Sequence, residues 1–194
     1  MKNEDSGLSA MDKYYLVAIP EDQVLERARE LQREFSRRYR VYDHNLPPLH
    51  VTLGILYISH GHNGWKDAVN LLSPLLHRQL PFKLTVKGTS CFPPPYKSVN
   101  LKVASTKKLR HISREVIKTL QPAGIKCQPM EGWDYHISLV NTVFAARQWT
   151  EEEYLEACEL LGKEKVHLAC RVRHIQLWLP EFPPLEVLAD FTKP

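Results

Sequence analysis

The sequence has few of the features that mark membrane proteins, disulfide-rich proteins or nucleotide-loop proteins. No apolar run approaches the roughly 20 residues that a membrane-spanning helix needs. There is no C-x-x-C pair, no G-x-x-x-x-G-K phosphate loop and no dinucleotide fingerprint. The sequence has only 4 cysteines, which we interpret as free, partly buried thiols in a reducing compartment: Cys91, Cys127, Cys158 and Cys170. We therefore expect a cytoplasmic protein without a membrane partner.

Neither positive nor negative charge is in large excess. The formal net charge is +4, and 43% of the residues are hydrophobic and 25% charged, as in an ordinary soluble globular protein. Such a balance permits an anionic ligand but does not demand one, because nucleic-acid-binding domains are often more basic. At 194 residues the chain can still form one compact unit. We expect a loose tail at 1–12 and a single domain at 13–194.

Hydrophobic patterning predicts strands and helices that interleave along the chain. Apolar runs and alternation predict strands at 14–20, 49–58, 82–92, 98–104, 135–143, 166–179 and 185–191. Apolar residues at helical spacing predict helices at 21–38, 65–78, 106–120 and 150–161. We expect Pro74 to kink or shorten the second of these helices. This interleaving predicts a protein that combines α and β structure.

A weak internal repeat organises these elements. In the first half a strand from Tyr14 and a helix lead to the strand LHVTLGIL, and in the second a strand from Ser98 and a helix lead to YHISLVNT. The intervals from strand start to histidine are 36 residues (14 to 50) and 38 residues (98 to 136). Two similar lobes that face each other would bring both histidine strands to a central groove.

Both of these strands carry the pattern His-x-[Ser/Thr]-Leu, as His50-Val51-Thr52-Leu53 and His136-Ile137-Ser138-Leu139. With 9 histidines and 18 serines and threonines in the chain, chance alone predicts about one His-x-[Ser/Thr] triplet, and three occur. The third begins at His111 inside a predicted helix, where residues two apart do not share a face. We interpret the third triplet as the coincidence.

On a strand the same spacing has a chemical meaning. Residues two apart point to the same face, so each motif offers an imidazole beside a hydroxyl. Two facing motifs suit in-line displacement at a phosphodiester, because one histidine can take a proton from the nucleophile while the other protonates the leaving oxygen. The hydroxyls can then hold the non-bridging oxygens. A single such motif is more often a half-buried, hydrogen-bonded histidine; the matched pair favours the functional interpretation.

The two motifs, about 86 residues apart, resemble those of the 2H phosphoesterase superfamily, which includes 2′-5′ RNA ligase-like proteins and RNA 2′,3′-cyclic phosphodiesterases. The resemblance extends from about Tyr14 to Phe191. It implies an α+β fold of two pseudo-symmetric lobes around a central groove, each an antiparallel-rich sheet with helices outside. It also implies that His50 and His136 are catalytic, that Thr52 and Ser138 bind phosphate, and that no metal or other cofactor is required.

The sequence departs from the family pattern at two places. Ligase-like members often carry an arginine two residues after the hydrophobic position of the second motif, where this chain has Asn141. They also often carry a Phe-Pro…Pro-Arg loop between the motifs. The corresponding loop here is Phe92–Lys97, so Lys97 is expected to stand in for that arginine, although lysine is a weaker bidentate clamp.

Several aromatic residues lie near the second motif or the proline-rich loop. An aromatic ring can stack on a nucleobase, and Tyr96 and Trp133 are the candidates, with Trp133 on the same strand face as His136. Tyr135 should face away from His136 and belong to the core. Three further histidines lack the cysteine or carboxylate neighbours of a metal site and are expected to be solvated: His44, His60 and His62.

These observations predict a monomeric enzyme that acts on 2′,3′-cyclic phosphates or 2′-5′ linkages in RNA or nucleotides. Two alternatives stay open: a nucleotide- or RNA-binding module without chemistry, and a phosphodiesterase for small cyclic nucleotides. The sequence does not decide which histidine is the acid, or whether hydrolysis or ligation is the natural direction.

Overall fold

The computed structural model describes residues 11–43, 45–59, 64–128, 134–143, 145–180 and 183–192. The chain forms both helices and strands, and the strands pair antiparallel, so the α+β class is confirmed. In chain order the elements are β1 (Met11–Ala18), α1 (Asp22–Tyr39), β2 (Val51–Ser59), α2 (Gly64–Gln79), β3 (Phe82–Phe92), β4 (Ser98–Val103), α3 (Lys107–Leu120), a 3₁₀ turn (Gln121–Ala123), β5 (Lys126–Gln128), β6 (His136–Val140), α4 (Glu151–Gly162), β7 (His167–Val172), β8 (Ile175–Leu179) and β9 (Glu186–Asp190).

The strands form two antiparallel sheets, as the resemblance implied. One has five strands in the order β5-β2-β1-β8-β9, and the other has four in the order β6-β4-β3-β7. The two histidine strands occupy matching places, because β2 pairs with β1 in the first sheet and β6 pairs with β4 in the second. Strand β2 also contacts β6, so the two motifs lie where the sheets meet.

The helices cross between the two sheets. Helix α1 follows β1 of the five-stranded sheet, yet it packs on β6 and β7 of the four-stranded sheet. Helix α3 follows β4 of the four-stranded sheet and packs on β2 and β5 of the other. In each repeat unit the helix therefore packs on the opposite sheet. The remaining helices stay on one side each, α2 beside β2 and α3, and α4 on β3 and β4.

The pattern of apolar residues explains why α1 forms and where it packs. Val24, Ala28, Leu31 and Phe35 recur at helical spacing and are all buried, so the helix has one apolar face that needs a sheet to cover it. Its first turn is acidic and its last turn is basic, which suits the helix dipole. Sequence alone could define this face but not which sheet it meets.

The structure corrects several predicted boundaries. Strand β1 starts at Met11, so residues 11 and 12, assigned to the tail, pair with β2; residues 1–10 lie outside the described part. The single strand predicted at 166–179 is two strands, because β7 pairs with β3 in one sheet while β8 pairs with β1 in the other. Helix α2 continues through Pro74 to Gln79 and is not shortened. Strand β5, only three residues long, was not predicted.

The cysteine prediction was wrong for one pair. Cys91 on β3 and Cys158 on α4 form a disulfide, with their Cα atoms 6.0 Å apart. The two residues are 67 positions apart and meet only because α4 packs on β3, so their spacing in the sequence gave no sign of the bond. Cys127 and Cys170 are free thiols, half-buried and buried respectively. The cysteines therefore give no support to the predicted cytoplasmic location. In the described ranges, no helix is both long and apolar enough to cross a bilayer.

Candidate active site

The two motif histidines are brought together at the junction of the sheets. His50 is the residue immediately before β2, and His136 is the first residue of β6. Both side chains are half-buried. They are close enough for the charge of His136 to lower the pKa of His50. The prediction that the repeat places two imidazoles at one groove thus agrees with the geometry.

Each imidazole is held in the same way by the backbone. The Nδ1 atom of His50 lies 2.9 Å from the carbonyl oxygen of Pro48, and Nδ1 of His136 lies 2.7 Å from that of Asp134. A carbonyl oxygen can only accept, so Nδ1 must carry the hydrogen in both rings. In the neutral form Nε2 then holds the lone pair. Each histidine is therefore fixed in the tautomer that can take or give a proton through Nε2.

An aromatic ring packs edge-on against each imidazole. The centroid of Trp178 lies 4.7 Å from that of His50, and the centroid of Phe92 lies 4.7 Å from that of His136. Trp178 is on β8, beside β1, and Phe92 ends β3, beside β4, so the two aromatic residues occupy matching strands of the two sheets. The pseudo-symmetry extends beyond the motifs to the groups that orient them.

Burial lowers the proton affinity of both histidines. Desolvation lowers the pKa of His50 from 6.5 to about 4, against the opposing effect of the bond to Pro48. Desolvation also lowers the pKa of His136, and here the carbonyl and charge of Asp134 oppose it. Near pH 7 His50 is therefore neutral, and its Nε2 lone pair can accept a proton, as a general base requires.

The two motif hydroxyls lie in different surroundings. Thr52 is half-buried, and within the described ranges its hydroxyl has no hydrogen-bond partner. The Oγ atom of Ser138 donates to Oδ1 of Asn100, at 3.0 Å. Asn100 is the cross-strand neighbour of Ser138 on β4 and is fully buried. A buried polar side chain of this kind is stable only when its hydrogen bonds are made.

The orientation of the Asn100 amide follows from its other contacts. Its Nδ2 donates to the carbonyl oxygens of Ser90 and Ser98, at 3.4 and 3.3 Å, and to Oγ of Ser98 at 3.1 Å. Carbonyl oxygens need a donor, so Oδ1 must face Ser138. Ser138 is therefore the donor of their shared bond, and its oxygen presents lone pairs to the groove. To donate to a phosphate oxygen, the hydroxyl must turn away from Asn100.

A serine on α3 links the two motifs from behind. The Oγ atom of Ser113 donates to the carbonyl oxygen of Leu53, at 3.0 Å, and lies 2.9 Å from the hydroxyl of Tyr135. Leu53 follows Thr52 and Tyr135 precedes His136, so this one buried side chain contacts both motif segments. Tyr135 is 2% exposed, which confirms its predicted place in the core. The third triplet, 111–113, thus has a structural rather than a chemical role.

Two other predicted residues, Lys97 and Asn141, make contacts outside the two motifs. Lys97 forms an ion pair with Glu151 at the start of α4, Nζ to Oε2 2.8 Å, so its role as a substitute for arginine stays a prediction. Oδ1 of Asn141 accepts from the backbone of Val143, and its own backbone bonds to the hydroxyl of Tyr42.

Tyr96 projects from the loop between β3 and β4 and is 60% exposed. Trp133 lies outside the described residues, as do His44, His60 and His62. Among the described residues, no three His, Cys, Asp or Glu side chains are grouped closely enough to hold a metal ion.

The residues that support the motifs were not predicted from the sequence. Asn100 and Ser98 are alternate residues of a short strand. Two polar side chains on one face of a strand could have indicated a hydrogen-bonded support for a functional site. Trp178, Phe92 and Ser113 gave no such signal, since their roles depend on how distant strands and helices pack.

Comparison with known proteins agrees with this fold. The model of the 2′-5′ RNA ligase superfamily matches residues 20–181. The structure of Escherichia coli LigT complexed with 3′-AMP has a TM-score of 0.60 at 15% identity, over 94% of this chain and 98% of that one. The structure of TT0787 of Thermus thermophilus has a TM-score of 0.62 at 20% identity, over 93% and 97%. A search among curated proteins found no match.

The fold is that of the two-histidine phosphoesterase superfamily, and the two motifs lie where its two sheets meet. The chain belongs to the 2′-5′ RNA ligase superfamily, because its family model covers most of the sequence.

Proposed function

We propose that this protein hydrolyses 2′,3′-cyclic phosphate ends of RNA or nucleotides, with His50 as general base and His136 as general acid. The observation that carries the proposal is the matched pair of imidazoles, each fixed with Nε2 as its proton-exchanging atom. Escherichia coli LigT, similar in fold, is known in complex with 3′-AMP and with ATP, which supports a nucleotide as the ligand.

In the proposed step, Nε2 of His50 takes a proton from water as the water oxygen bonds to phosphorus. The bond from phosphorus to one ribose oxygen breaks, and Nε2 of His136 gives its proton to that oxygen. A phosphomonoester and a free ribose hydroxyl result, and each histidine must then exchange one proton with solvent. His50 is assigned as the base because burial lowers its pKa to about 4, which keeps it neutral near pH 7, whereas the charge of Asp134 favours the protonated form of His136. Ligation would be the same step with a 5′-hydroxyl as nucleophile.

Thr52 and Ser138 are proposed to hold the non-bridging oxygens, where charge builds up in the transition state. Ser138 must first exchange its bond to Asn100 for one to phosphate, whereas within the described residues Thr52 has no bond to give up. We therefore expect Thr52→Ala to raise KM for the substrate and Ser138→Ala mainly to lower kcat.

The test is hydrolysis of 2′,3′-cyclic nucleotides and of an RNA that ends in a 2′,3′-cyclic phosphate, in excess EDTA. Wild type is compared with His50→Ala and His136→Ala, and circular dichroism checks that both variants fold. We expect activity that survives EDTA and is lost in both variants. Full activity in either variant would remove the assignment. Binding without turnover in the wild type would instead favour the non-catalytic binding module, and turnover of nucleotides but not RNA would favour the small-molecule phosphodiesterase.

A further inference from the structure

The five-stranded sheet has a tyrosine-rich face that continues away from His50. Its opposite face is core, since Tyr14, Leu16 and Leu56 are all buried under the helices. Strand residues alternate between faces, so the groove face of β1 and β2 carries Tyr15 and Tyr57, both half-buried. Large aromatic side chains that a sheet leaves partly uncovered often mark a contact surface.

Three tyrosines from separate elements converge on this face. Burial raises the pKa of Tyr15, and the neighbouring phenols of Tyr57 and Tyr96 raise it further. Tyr96 lies on the loop between β3 and β4 of the other sheet, and its side chain is 60% exposed. The hydroxyl of Tyr57 donates to Oε1 of Gln128 on β5, at 3.1 Å, which holds that ring in place.

Lysines flank the same tyrosines. Register pairs Tyr57 with Lys13 on β1 and with Lys126 on β5, so all three point to one face. The Nζ atom of Lys13 lies 5.9 Å from the centroid of the Tyr57 ring. Lys13 and Lys126 are both exposed. Aromatic rings interleaved with cations form the surfaces on which single-stranded nucleic acids bind, with bases on the rings and phosphates at the cations.

The surface is continuous with the active site. Trp178, which packs on His50, is directly opposite Tyr15 across β8 and β1. Five residue steps along β2 separate Thr52 from Tyr57, a distance of about 16 Å at the usual rise per residue. A shift in the pairing with β1, between Leu16 and Val17, lets both residues face the groove. A base stacked on Tyr57 therefore belongs to a neighbouring nucleotide, not to the one that carries the reacting phosphate.

We propose that Tyr15, Tyr57 and Tyr96, with Lys13 and Lys126, form a binding surface for the nucleotides that precede a 2′,3′-cyclic phosphate, so that the preferred substrate is a single-stranded oligonucleotide. This inference rests on the proposed function. Because a 2′,3′-cyclic phosphate ends the chain at its 3′ side, further nucleotides can lie only on the 5′ side. The surface thus binds the last few bases of an RNA strand.

The test compares kcat/KM for a tetranucleotide that ends in a 2′,3′-cyclic phosphate with kcat/KM for the cyclic mononucleotide. We expect the oligonucleotide to be preferred in the wild type and Tyr57→Leu to reduce that preference by roughly tenfold, the effect of losing one base stack. Tyr57→Phe keeps the ring and should keep the preference. Leu155→Ala, a matched truncation at an exposed apolar residue on α4, should also leave the preference within twofold of wild type.

A second measurement separates this inference from the proposed function. Fluorescence anisotropy of a labelled tetranucleotide with a 3′-phosphate reports binding whether or not the protein turns over substrate. Binding that weakens about tenfold in Tyr57→Leu supports the surface even if no cyclic phosphate is hydrolysed. Equal preference for mononucleotide and oligonucleotide in the wild type, with equal affinity in Tyr57→Leu and Tyr57→Phe, would overturn it.

Discussion

Asn100 offers the sharpest test of how the second motif is built. In Asn100→Ala, the carbonyl oxygens of Ser90 and Ser98 lose their side-chain donor, and the hydroxyls of Ser98 and Ser138 lose a partner. Each such hydrogen bond contributes about 1 kcal/mol, and a buried group left without a partner costs about 1–3 kcal/mol. Two of these contacts exceed 3.2 Å, which is long for a strong bond, so we expect a loss of about 3 kcal/mol in the free energy of unfolding.

Urea unfolding followed by circular dichroism measures this loss. With a slope of about 2 kcal/mol/M, the midpoint should fall by about 1.5 M. Ser138→Ala is the matched control, because it removes one of these bonds and leaves the rest, and we expect about 1 kcal/mol from it. An Asn100→Ala midpoint equal to that of wild type would show that the network does not stabilise the fold.

The catalytic consequence is tested by combining the two changes. If Asn100 acts through Ser138, then kcat of Asn100→Ala/Ser138→Ala should equal that of Ser138→Ala, because the second substitution removes what the first had oriented. If the losses in kcat of the two single variants instead multiply in the double variant, Asn100 does not act through Ser138.

Three further predictions concern the acid–base pair, its aromatic support and a surface ion pair. In the proposed step His50 must be neutral and His136 protonated. We therefore expect kcat/KM to rise as pH increases through about 4 and to fall as pH increases through the pKa of His136, which is below 6.5. A value of kcat/KM that stays at its maximum above pH 7 would contradict this. Phe92→Leu removes the edge contact to His136 and should lower kcat about three- to tenfold with little change in KM, whereas an equal rise in KM would mean that the ring binds substrate instead. Bonds to Arg147 lower the pKa of Glu153 to about 2, so its contribution to stability is full above pH 4.5 and is lost as pH falls towards 2. Glu153→Gln should therefore cost about 0.5 kcal/mol at pH 7 and nothing near pH 2 in urea unfolding, and an equal cost at both values would rule out the ion pair.

The sequence was sufficient for the helices, for most of the strands and for the two motifs, because all of these depend on local patterns. Alternation placed His50 beside Thr52 and His136 beside Ser138, and the repeat predicted that the two strands would meet. It was not sufficient for residues whose role depends on packing between distant elements. Trp178 reaches His50 from the far end of the chain, and no local pattern distinguishes it from an ordinary core residue.

Two other outcomes show the same limit. The strand predicted at 166–179 had the right residues but lies in two sheets, because a bend between sheets need not interrupt an apolar pattern. Cys91 and Cys158 form a disulfide only because α4 packs on β3, a contact that their spacing in the sequence does not encode.

Because α1 and α3 each pack on the sheet of the other repeat, the chain cannot be divided into two independent halves. A fragment that ends at Gln79 keeps β1, α1 and β2, but the apolar face of α1 loses the sheet that buries it. Neither repeat is therefore a unit that can fold alone, and expression of one half should give an aggregating product unless the other half is supplied. Because each sheet is packed against a helix from the other repeat, we expect the same interlocking to resist hinge motion between the sheets.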